Sequence, residues 1–153
     1  MRPALTVVAL ADPRKPDAAA LLAALDAYLG ALYPAESNHI LDVAALRQPD
    51  IRFFTARLAG RTLGCAALRL HDGYGEVKRV YVDPVARGLG LGRALLVRLD
   101  QAARDERLVC LRLETGIHQP EAIALFRATG FADIGPFGAY GPDPYSLFME
   151  KLL

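Results

Sequence analysis

The sequence has few cysteines, and this limits what they can do. Cys65 and Cys110 are the only two among 153 residues. So few thiols do not form a disulfide framework. Each lies inside an apolar run typical of a strand, which predicts that both are reduced, buried and structural rather than catalytic.

The sequence also lacks an excess of charge of either sign. Its 18 basic and 17 acidic residues leave a formal net charge of +1. No overall field therefore attracts nucleic acid or an anionic membrane, and any anion site must be local.

Long hydrophobic runs are missing as well. No apolar run reaches membrane-spanning length, and the apolar stretch within residues 1–8 is too short for a signal peptide. We therefore expect a cytoplasmic protein with no nucleic-acid partner and no membrane partner.

What the sequence does contain is enough apolar material for one packed core. Hydrophobic residues make up 53% and charged residues 23%, which is typical of a folded soluble protein. The length suits one ordinary domain, so we expect residues 1–153 to form a single domain.

The first half predicts a strand, a helix and a hairpin. Thr6 to Leu10 has the composition of a strand, and leucines at helical spacing from Ala18 to Leu32 predict an amphipathic helix capped by Asp17. A short helix is expected between Leu41 and Leu46. Two strand-like runs, Ile51 to Leu58 and Arg61 to Leu70, flank Ala59-Gly60 and predict a β-hairpin.

The second half alternates strands with helices. The predicted order is a strand at residues 76–82, a helix at 91–103, an apolar strand at 108–113, a helix from Pro120 to Gly130, and a last strand at 145–151. The residues alone thus predict a mixed α+β sheet with helices on its faces.

A glycine-rich stretch leads from the strand at 76–82 into the next helix. Gly88, Gly90 and Gly92 stand at alternate positions and open an amphipathic helix. Glycines allow close approach of the main chain to a ligand, and the first N–H groups of a helix are free to bind an anion. Arg87 and Arg93 add positive charge, so the stretch predicts a phosphate site rather than a plain turn.

Nucleotides and coenzyme A both carry a diphosphate, so the ligand class stays open on the residues alone. A P-loop is excluded because Gly92-Arg93-Ala94 lacks the lysine followed by serine or threonine. A Rossmann site is disfavoured by the Gly-x-Gly-x-Gly spacing and by the hairpin that precedes it.

Two segments resemble a known family. Arg87-x-x-Gly90-x-Gly92, after a strand ending Val80-Tyr81-Val82, resembles the signature of the GNAT superfamily of acetyltransferases, and residues 119–131 resemble its next helix with a Gly-Phe ending. The resemblance implies an acyl-CoA N-acyltransferase fold with a mostly antiparallel sheet of six to seven strands and helices on both faces. It also implies acetyl-CoA as the acetyl donor, an amine acceptor of a small molecule or peptide, direct attack in a ternary complex, and compatibility with a homodimer.

The resemblance further implies where acetyl-CoA binds. Main-chain amides of the loop would hold the diphosphate, the edge of the strand would pair with the pantetheine arm, and acetyl transfer would occur between splayed strands at 76–82 and 108–114. The cofactor-binding residues so predicted are Val80, Tyr81, Val82, Arg87, Gly88, Leu89, Gly90, Leu91, Gly92, Arg93 and Phe126.

The catalytic residues are predicted by the same resemblance. Glu76 stands where some members have a catalytic glutamate, and an amine with a pKa of about 10 must lose a proton before it attacks. A strand-start surface glutamate is the alternative for Glu76, and Glu114 is a reserve candidate. The amide of Val82 is the implied oxyanion donor.

The usual tyrosine acid of the family is replaced here by Phe126. Tyr140 or Tyr145 would substitute for it, or the thiolate leaves without an acid, and Tyr140 also suits a pocket wall. Because of this departure, a module that binds acyl-CoA without turning it over is a second hypothesis. A nucleotide-binding domain of another class is a third.

No metal site is expected. Glu36, His39 and Asp42 have helical spacing, but His71 and His118 lie in unrelated turns without partners at metal-ligand spacing. Glu36 and Asp42 instead suggest attraction of a cationic acceptor. The residues do not name that acceptor.

Overall fold

The computed structural model describes residues 5–153, and these build one seven-stranded sheet with helices packed on it. Residues 1–4, part of the stretch considered as a signal peptide, lie outside the described residues. The elements are β1 (Thr6–Leu10), α1 (Pro16–Leu32), α2 (Val43–Leu46), β2 (Ile51–Leu58), β3 (Arg61–Leu70), β4 (Tyr74–Val82), α3 (Leu91–Asp105), β5 (Cys110–Gly116), α4 (Pro120–Ala128), β6 (Ala132–Ile134) and β7 (Ser146–Leu152).

The sheet order is β1-β2-β3-β4-β5-β7-β6. Neighbouring strands run antiparallel except for β4 and β5, which run parallel. A parallel pair needs a crossover, and α3 supplies it. The predicted fold class, a mostly antiparallel mixed sheet of six to seven strands, is confirmed.

Two hydrophobic cores lie on opposite faces of this sheet. Side chains alternate along a strand, and Phe54 belongs to the core that includes α3, whereas Phe53 belongs to the core that includes α1. On α3, Leu91, Leu95 and Leu99 are almost fully buried, as their spacing predicted. Helices therefore cover both faces.

The hairpin between β2 and β3 forms as predicted. Its turn residues Ala59 and Gly60 both have positive φ, at 51° and 78°. A two-residue turn of this kind matches the twist of the flanking strands.

The predicted cap of α1 is wrong. Lys15 is the N-cap and Pro16 is the first helical residue, because proline has no N–H to satisfy and its φ suits that position. Asp17 lies in the first turn, where it accepts a hydrogen bond of 2.6 Å from the Thr62 hydroxyl of β3. It thus ties α1 to the sheet.

Several boundaries also differ from the expectation. β4 begins at Tyr74 rather than residue 76, and β5 runs from Cys110 to Gly116 rather than from 108 to 113. Val109, within the apolar run at 108–113 that suggested a strand covered on both faces, is instead exposed. β6 was missed, since its three residues pair only through β7 and carry no strand pattern of their own.

Both cysteines are buried and free, as predicted. Burial raises the pKa of the Cys65 thiol to about 12, so the thiol stays protonated. Among the helices of residues 5–153, none has the length and apolar composition that crossing a membrane requires.

Candidate functional site

β4 and β5 separate shortly after they meet. They pair only at Tyr74 with Cys110, Gly75 with Leu111, and Glu76 with Arg112. Both strands then continue, to Val82 and Gly116, without pairing with each other. The sheet therefore opens into a cleft toward the carboxyl ends of these two strands.

A β-bulge in β4 accompanies this separation. Cys65 faces Tyr81 while Ala67 faces Lys78, so two residues of β4 stand opposite Ala66 of β3. Arg79 in the bulge has a φ of 57°. Its buried guanidinium donates to the Asp26 carboxylate of α1 at 2.6 Å, which anchors the bulge to the helix.

An outer groove of about 480 Å³ lies where β4 ends and α3 begins. α1 and α4 form its other walls. Of the predicted cofactor residues, those that line this outer groove are Val80, Tyr81, Val82, Arg87, Gly88, Gly90, Leu91, Gly92 and Arg93.

The main-chain N–H groups at the start of α3 are free. Within the described part of the chain, the N–H groups of residues 88–93 make no hydrogen bond to the protein, and the first bond of the helix runs from Ala94 N to Gly90 O at 3.0 Å. Gly88 and Gly90 have φ values of 79° and 87°, which favour glycine. The donors and the positive end of α3 make this part of the outer groove fit a diphosphate.

The two predicted arginines differ in position. Arg87 Nε donates to the Val82 carbonyl at 3.2 Å, and its guanidinium carbon lies 5.9 Å from the centre of the Tyr81 ring. Arg93 is exposed at the outer groove. Leu89 is 59% exposed and does not line the groove.

An inner cleft of about 100 Å³ lies between β4 and β5. It adjoins the outer groove, since both spaces are lined by Leu25, Val80, Gln119 and Ala122. Phe126 lines the inner cleft rather than the outer groove. Its buried ring packs against that of Phe131, with ring centres 5.8 Å apart.

Glu114 on β5 lines the inner cleft. Its Oε2 accepts a hydrogen bond of 2.8 Å from the Ser146 hydroxyl of β7. Burial raises the pKa of Glu114, and the hydrogen bond from Ser146 opposes this only in part. A carboxylate with a raised pKa is better suited to accept a proton near neutral pH.

Glu76 and Tyr140, the two predicted catalytic side chains, contact each other behind the cleft. Glu76 is 3% exposed, and its Oε2 accepts a hydrogen bond of 2.5 Å from the Tyr140 hydroxyl. Its Oε1 lies 2.9 Å from His71 Nε2. Burial and the Glu76 carboxylate raise the pKa of Tyr140. Neither residue lines the inner cleft. The two lie together where β4 and β5 still pair, and Lys78, which does line the cleft, contacts both of them.

Tyr33 is a cleft residue that the sequence pattern did not reveal. Its hydroxyl donates to Gln119 Oε1 at 3.2 Å and accepts from the His118 main-chain N–H at 3.0 Å. Tyr145 also lines the cleft, with its ring centre 6.1 Å from that of Tyr33. In the sequence, Tyr33 stood out only as the last residue before a predicted helix end, and a helix end alone does not indicate a site.

The acidic residues at 36 and 42 do not reach the cleft. Glu36 is exposed, and Asp42 caps α2 by accepting from Ala45 N at 2.8 Å. The His39 ring packs edge-on against Tyr140 with centres 5.1 Å apart. In residues 5–153, no group of three or more His, Cys, Asp or Glu side chains is arranged to hold a metal ion.

Comparison with known families identifies the family of this chain. The profile of the Acetyltransferase (GNAT) family matches residues 18–131, which is most of the chain. The chain belongs to the GNAT acetyltransferase family. The resemblance in the glycine-rich stretch is thereby confirmed.

Similar proteins match this chain over most or nearly all of its length. An IAA acetyltransferase of Azospirillum brasilense is 54% identical over 148 residues, covering 95% of this chain and 97% of the relative. The uncharacterised N-acetyltransferase YedL of Escherichia coli is 36% identical over 78% of this chain and 77% of its own length. A Klebsiella pneumoniae structure assigned to the acyl-CoA N-acyltransferases has a TM-score of 0.86 at 40% identity, covering 97% of this chain and 98% of that one.

These findings make the chain an acyl-CoA-dependent N-acetyltransferase. They favour the enzyme over the binding module and over the nucleotide-binding domain. Acetyl-CoA is the acetyl donor used by this family, and the free N–H groups at residues 88–93 fit its diphosphate.

Proposed function

We propose that this GNAT enzyme transfers the acetyl group of acetyl-CoA to a primary amine of a small molecule or peptide, by direct attack in a ternary complex. The observation that carries the proposal is the junction of two spaces. The outer groove presents free N–H donors, the inner cleft presents a carboxylate, and the two share four lining residues. The donor would therefore bind in the outer groove and the acceptor in the inner cleft, and the two would meet where these spaces adjoin.

In this proposal the chain holds the donor mainly through its backbone. The N–H groups of residues 88–93 bind the diphosphate, and Arg93 adds charge at the rim. The strand edge at Val80 to Val82 lies along the pantetheine arm. The Val82 amide is the proposed donor to the thioester oxygen as that oxygen gains negative charge.

The reaction requires that the amine lose a proton. The neutral amine attacks the thioester carbonyl, the C–N bond forms, the C–S bond breaks, and the sulfur leaves as a thiolate that takes up a proton. The proton removed from the ammonium needs an acceptor beside the cleft.

Glu114 is the carboxylate best placed to accept that proton. It lines the inner cleft, and only one of its oxygens is hydrogen-bonded to the protein in the described part of the chain. Glu76 remains a predicted base, but both its oxygens are occupied by Tyr140 and His71. We therefore propose Glu114 for this role and assign Glu76 to the network beside it.

The leaving thiolate has no tyrosine at position 126 to protonate it. Of the two predicted substitutes, Tyr145 lines the inner cleft, whereas Tyr140 is hydrogen-bonded to Glu76. Tyr145 is thus the proposed acid, and departure of an unprotonated thiolate is the alternative.

Donor binding is tested with a matched pair of glycines. Gly90→Glu places a side chain and a negative charge among the free N–H groups, so acetyl-CoA binding in calorimetry should be lost. Gly60→Glu is the control, because Gly60 also has a positive φ and open space around it but lies in the β2–β3 turn. Equal affinity of the two variants for acetyl-CoA would show that the diphosphate does not bind at this loop.

Acetyl transfer is tested by incubating the protein with acetyl-CoA and a panel of amines and, in a separate reaction, with IAA, because the Azospirillum brasilense relative carries that name. Release of free CoA is followed, and the product is identified by mass spectrometry. A product acetylated on nitrogen supports the proposal. Donor binding without transfer to any amine contradicts it.

The base is tested by comparing Glu114→Gln with Glu76→Gln. We expect Glu114→Gln to lower kcat by about 100-fold, a typical contribution of a general base, and to remove the acid limb of the pH profile. Glu76→Gln should act mainly on stability. If Glu76→Gln lowers kcat more than Glu114→Gln does, Glu76 and not Glu114 is the general base.

A further inference from the structure

The charged side chains around the inner cleft are not equally available to a substrate. Lys78 lines the cleft, but its ammonium donates to the Tyr140 hydroxyl at 2.8 Å and to the His39 carbonyl at 2.9 Å, and lies 3.5 Å from Glu76 Oε2. All three of its protons therefore have acceptors nearby.

The charge of Arg79 is also paired. Arg79 lines the cleft, and its guanidinium forms an ion pair with Asp26 at 2.6 Å and donates to the Leu22 carbonyl at 3.4 Å, although its buried Nε has no hydrogen-bond partner among the described residues. Both cations of the cleft are thus neutralised by carboxylates of the protein.

Glu114 is the exception. Across residues 5–153 it makes no ion pair within 4 Å, and His39 and Lys78 act on it only from a greater distance. Its hydrogen bond comes from the neutral Ser146 hydroxyl, and it lines the cleft. A partly buried charge without a partner is unfavourable, so a bound cation would be stabilised there.

Aromatic side chains next to Glu114 suit the same ligand. Tyr33 and Tyr145 both line the cleft, and His118 stacks on Tyr33 with ring centres 5.7 Å apart. The faces of tyrosine rings attract ammonium groups. Carboxylate and rings together form a site for positive charge.

We infer that the acceptor is an alkylammonium that carries no carboxylate beside its nitrogen, bound through Glu114 and beside the ring cluster of Tyr33 and Tyr145. The inference rests on the proposed function and narrows its acceptor. An α-amino acid would bring a second negative charge toward Glu114, and neither Lys78 nor Arg79 is free to neutralise it. The site therefore selects against α-amino acids as well as for amines.

The test uses two compounds with one skeleton, 2-aminobutane and 2-aminobutanoate, which differ by a methyl group in place of a carboxylate. Their binding to the protein saturated with CoA is measured by calorimetry at pH 7. We expect 2-aminobutane to bind at least about tenfold more tightly: both ammonium groups can pair with Glu114, but the carboxylate of 2-aminobutanoate would bring a like charge toward it, and such a juxtaposition costs at least this much.

Glu114→Gln should reduce that preference to less than about threefold, because the amide keeps the shape but loses the charge. Glu114→Asp keeps the charge and should retain the preference. Glu106→Gln is the matched control: Glu106 is exposed and paired with Arg52, far from the cleft, so the preference should be unchanged. Melting curves of each variant establish that it is folded.

Equal binding of the two compounds, tighter binding of 2-aminobutanoate, or a preference that survives Glu114→Gln would overturn the inference. These outcomes are independent of turnover, so they leave acetyl transfer to amines in place. Conversely, if 2-aminobutane binds as expected but no amine is acetylated, the proposed function fails and the cation site stands.

Discussion

At the scale of single residues, the ring of Tyr33 lies directly against the backbone of Gly116. A Cβ added to Gly116 would lie 1.8 Å from the Tyr33 hydroxyl oxygen and 2.0 Å from Cζ of the ring. Glycine at the end of β5 therefore leaves the space in which the tyrosine ring lies. The contact joins α1 to the far side of the cleft.

Gly116→Ala should destabilise the protein by about 1–3 kcal/mol, the usual cost of overpacking a filled site. The free energy of unfolding from urea denaturation measures this. Gly135→Ala is the control, since no atom lies within 4 Å of its added Cβ. Adding Tyr33→Leu to Gly116→Ala should restore part of the loss, and the explanation fails if it does not.

Asp100 gives a residue-scale prediction that depends on pH. Burial alone would raise the pKa of this carboxyl, but Lys151 at 2.7 Å and Arg104 at 2.5 Å outweigh burial and hold the pKa below its ordinary value. A lowered pKa in the folded state means that the carboxylate stabilises the fold above the unfolded pKa of about 3.9, and that this stabilisation is lost as pH falls below it.

Asp100→Asn should therefore cost about 1 kcal/mol at pH 7, and its difference from the wild type should shrink as the pH falls below about 4. Urea denaturation at both pH values tests this. Asp133→Asn, in the exposed pair with Arg127, should change stability less at either pH. A constant difference from pH 7 down to pH 3 would show that the charge of Asp100 is not its cause.

At the scale of elements, the bulge in β4 lies between the inner cleft and the outer groove. Arg79 binds Asp26 of α1, and the next residues along the strand, Val80 to Val82, line the outer groove. The Cys65 thiol donates to the Arg79 carbonyl at 3.4 Å, which ties the bulge to β3 as well. Arg79 thus links the position of α1 to the strand segment that lines the groove.

Arg79→Leu should lower the free energy of unfolding by about 2 kcal/mol, less than for a fully buried ion pair because Asp26 is half-exposed. It should also raise the KM for acetyl-CoA, since the bulge is no longer anchored. Thr62→Val is the control, because it breaks the other side-chain bond between α1 and the sheet away from the groove. If Thr62→Val raises that KM equally, general loosening of α1 explains the effect.

At the scale of the whole molecule, the sheet consists of two parts joined by three residue pairs. Strands β1 to β4 lie on one side of the cleft, and β5, β7 and β6 lie on the other. In the proposed function, the donor lies in the outer groove and its thioester end reaches the inner cleft, where it would contact both parts. A ligand that contacts both parts would therefore reinforce the parallel junction between β4 and β5 and raise the stability of the fold.

CoA at about 100 times its Kd should stabilise the folded state by about 2.7 kcal/mol through mass action. Hydrogen exchange should slow both at residues 80–82 of β4 and at residues 113–116 of β5. The edge strand β1, at Thr6–Leu10, serves as the reference that should not change beyond the global effect. Protection confined to the β4 side would place the ligand outside the cleft.

Local patterns account for the parts of this molecule that were predictable. The Ala59-Gly60 turn, the leucine face of α3 and the glycine-rich loop each depend on residues close together in the chain, so their spacing was sufficient. Element order and the family resemblance then predicted the sheet. β6 escaped prediction because three residues carry no periodicity.

The candidate site was only partly predictable for the same reason. The loop residues at 87 to 93 were found, but the contact of Tyr33 with Gln119 joins residues 86 positions apart. Glu76 and Glu114 look alike in the sequence, as carboxylates near the ends of strands. Their surroundings differ only because β4 and β5 pair at Glu76 and have separated at Glu114.

The sequence by itself determined where the chain turns, which helix begins with free N–H groups, and which family it belongs to, because these follow from local spacing and residue type. Only the tertiary structure decided which carboxylate lines the inner cleft and which charges are already neutralised. Pairing of strands and of charges depends on residues distant in the chain, and that is information a linear pattern does not carry.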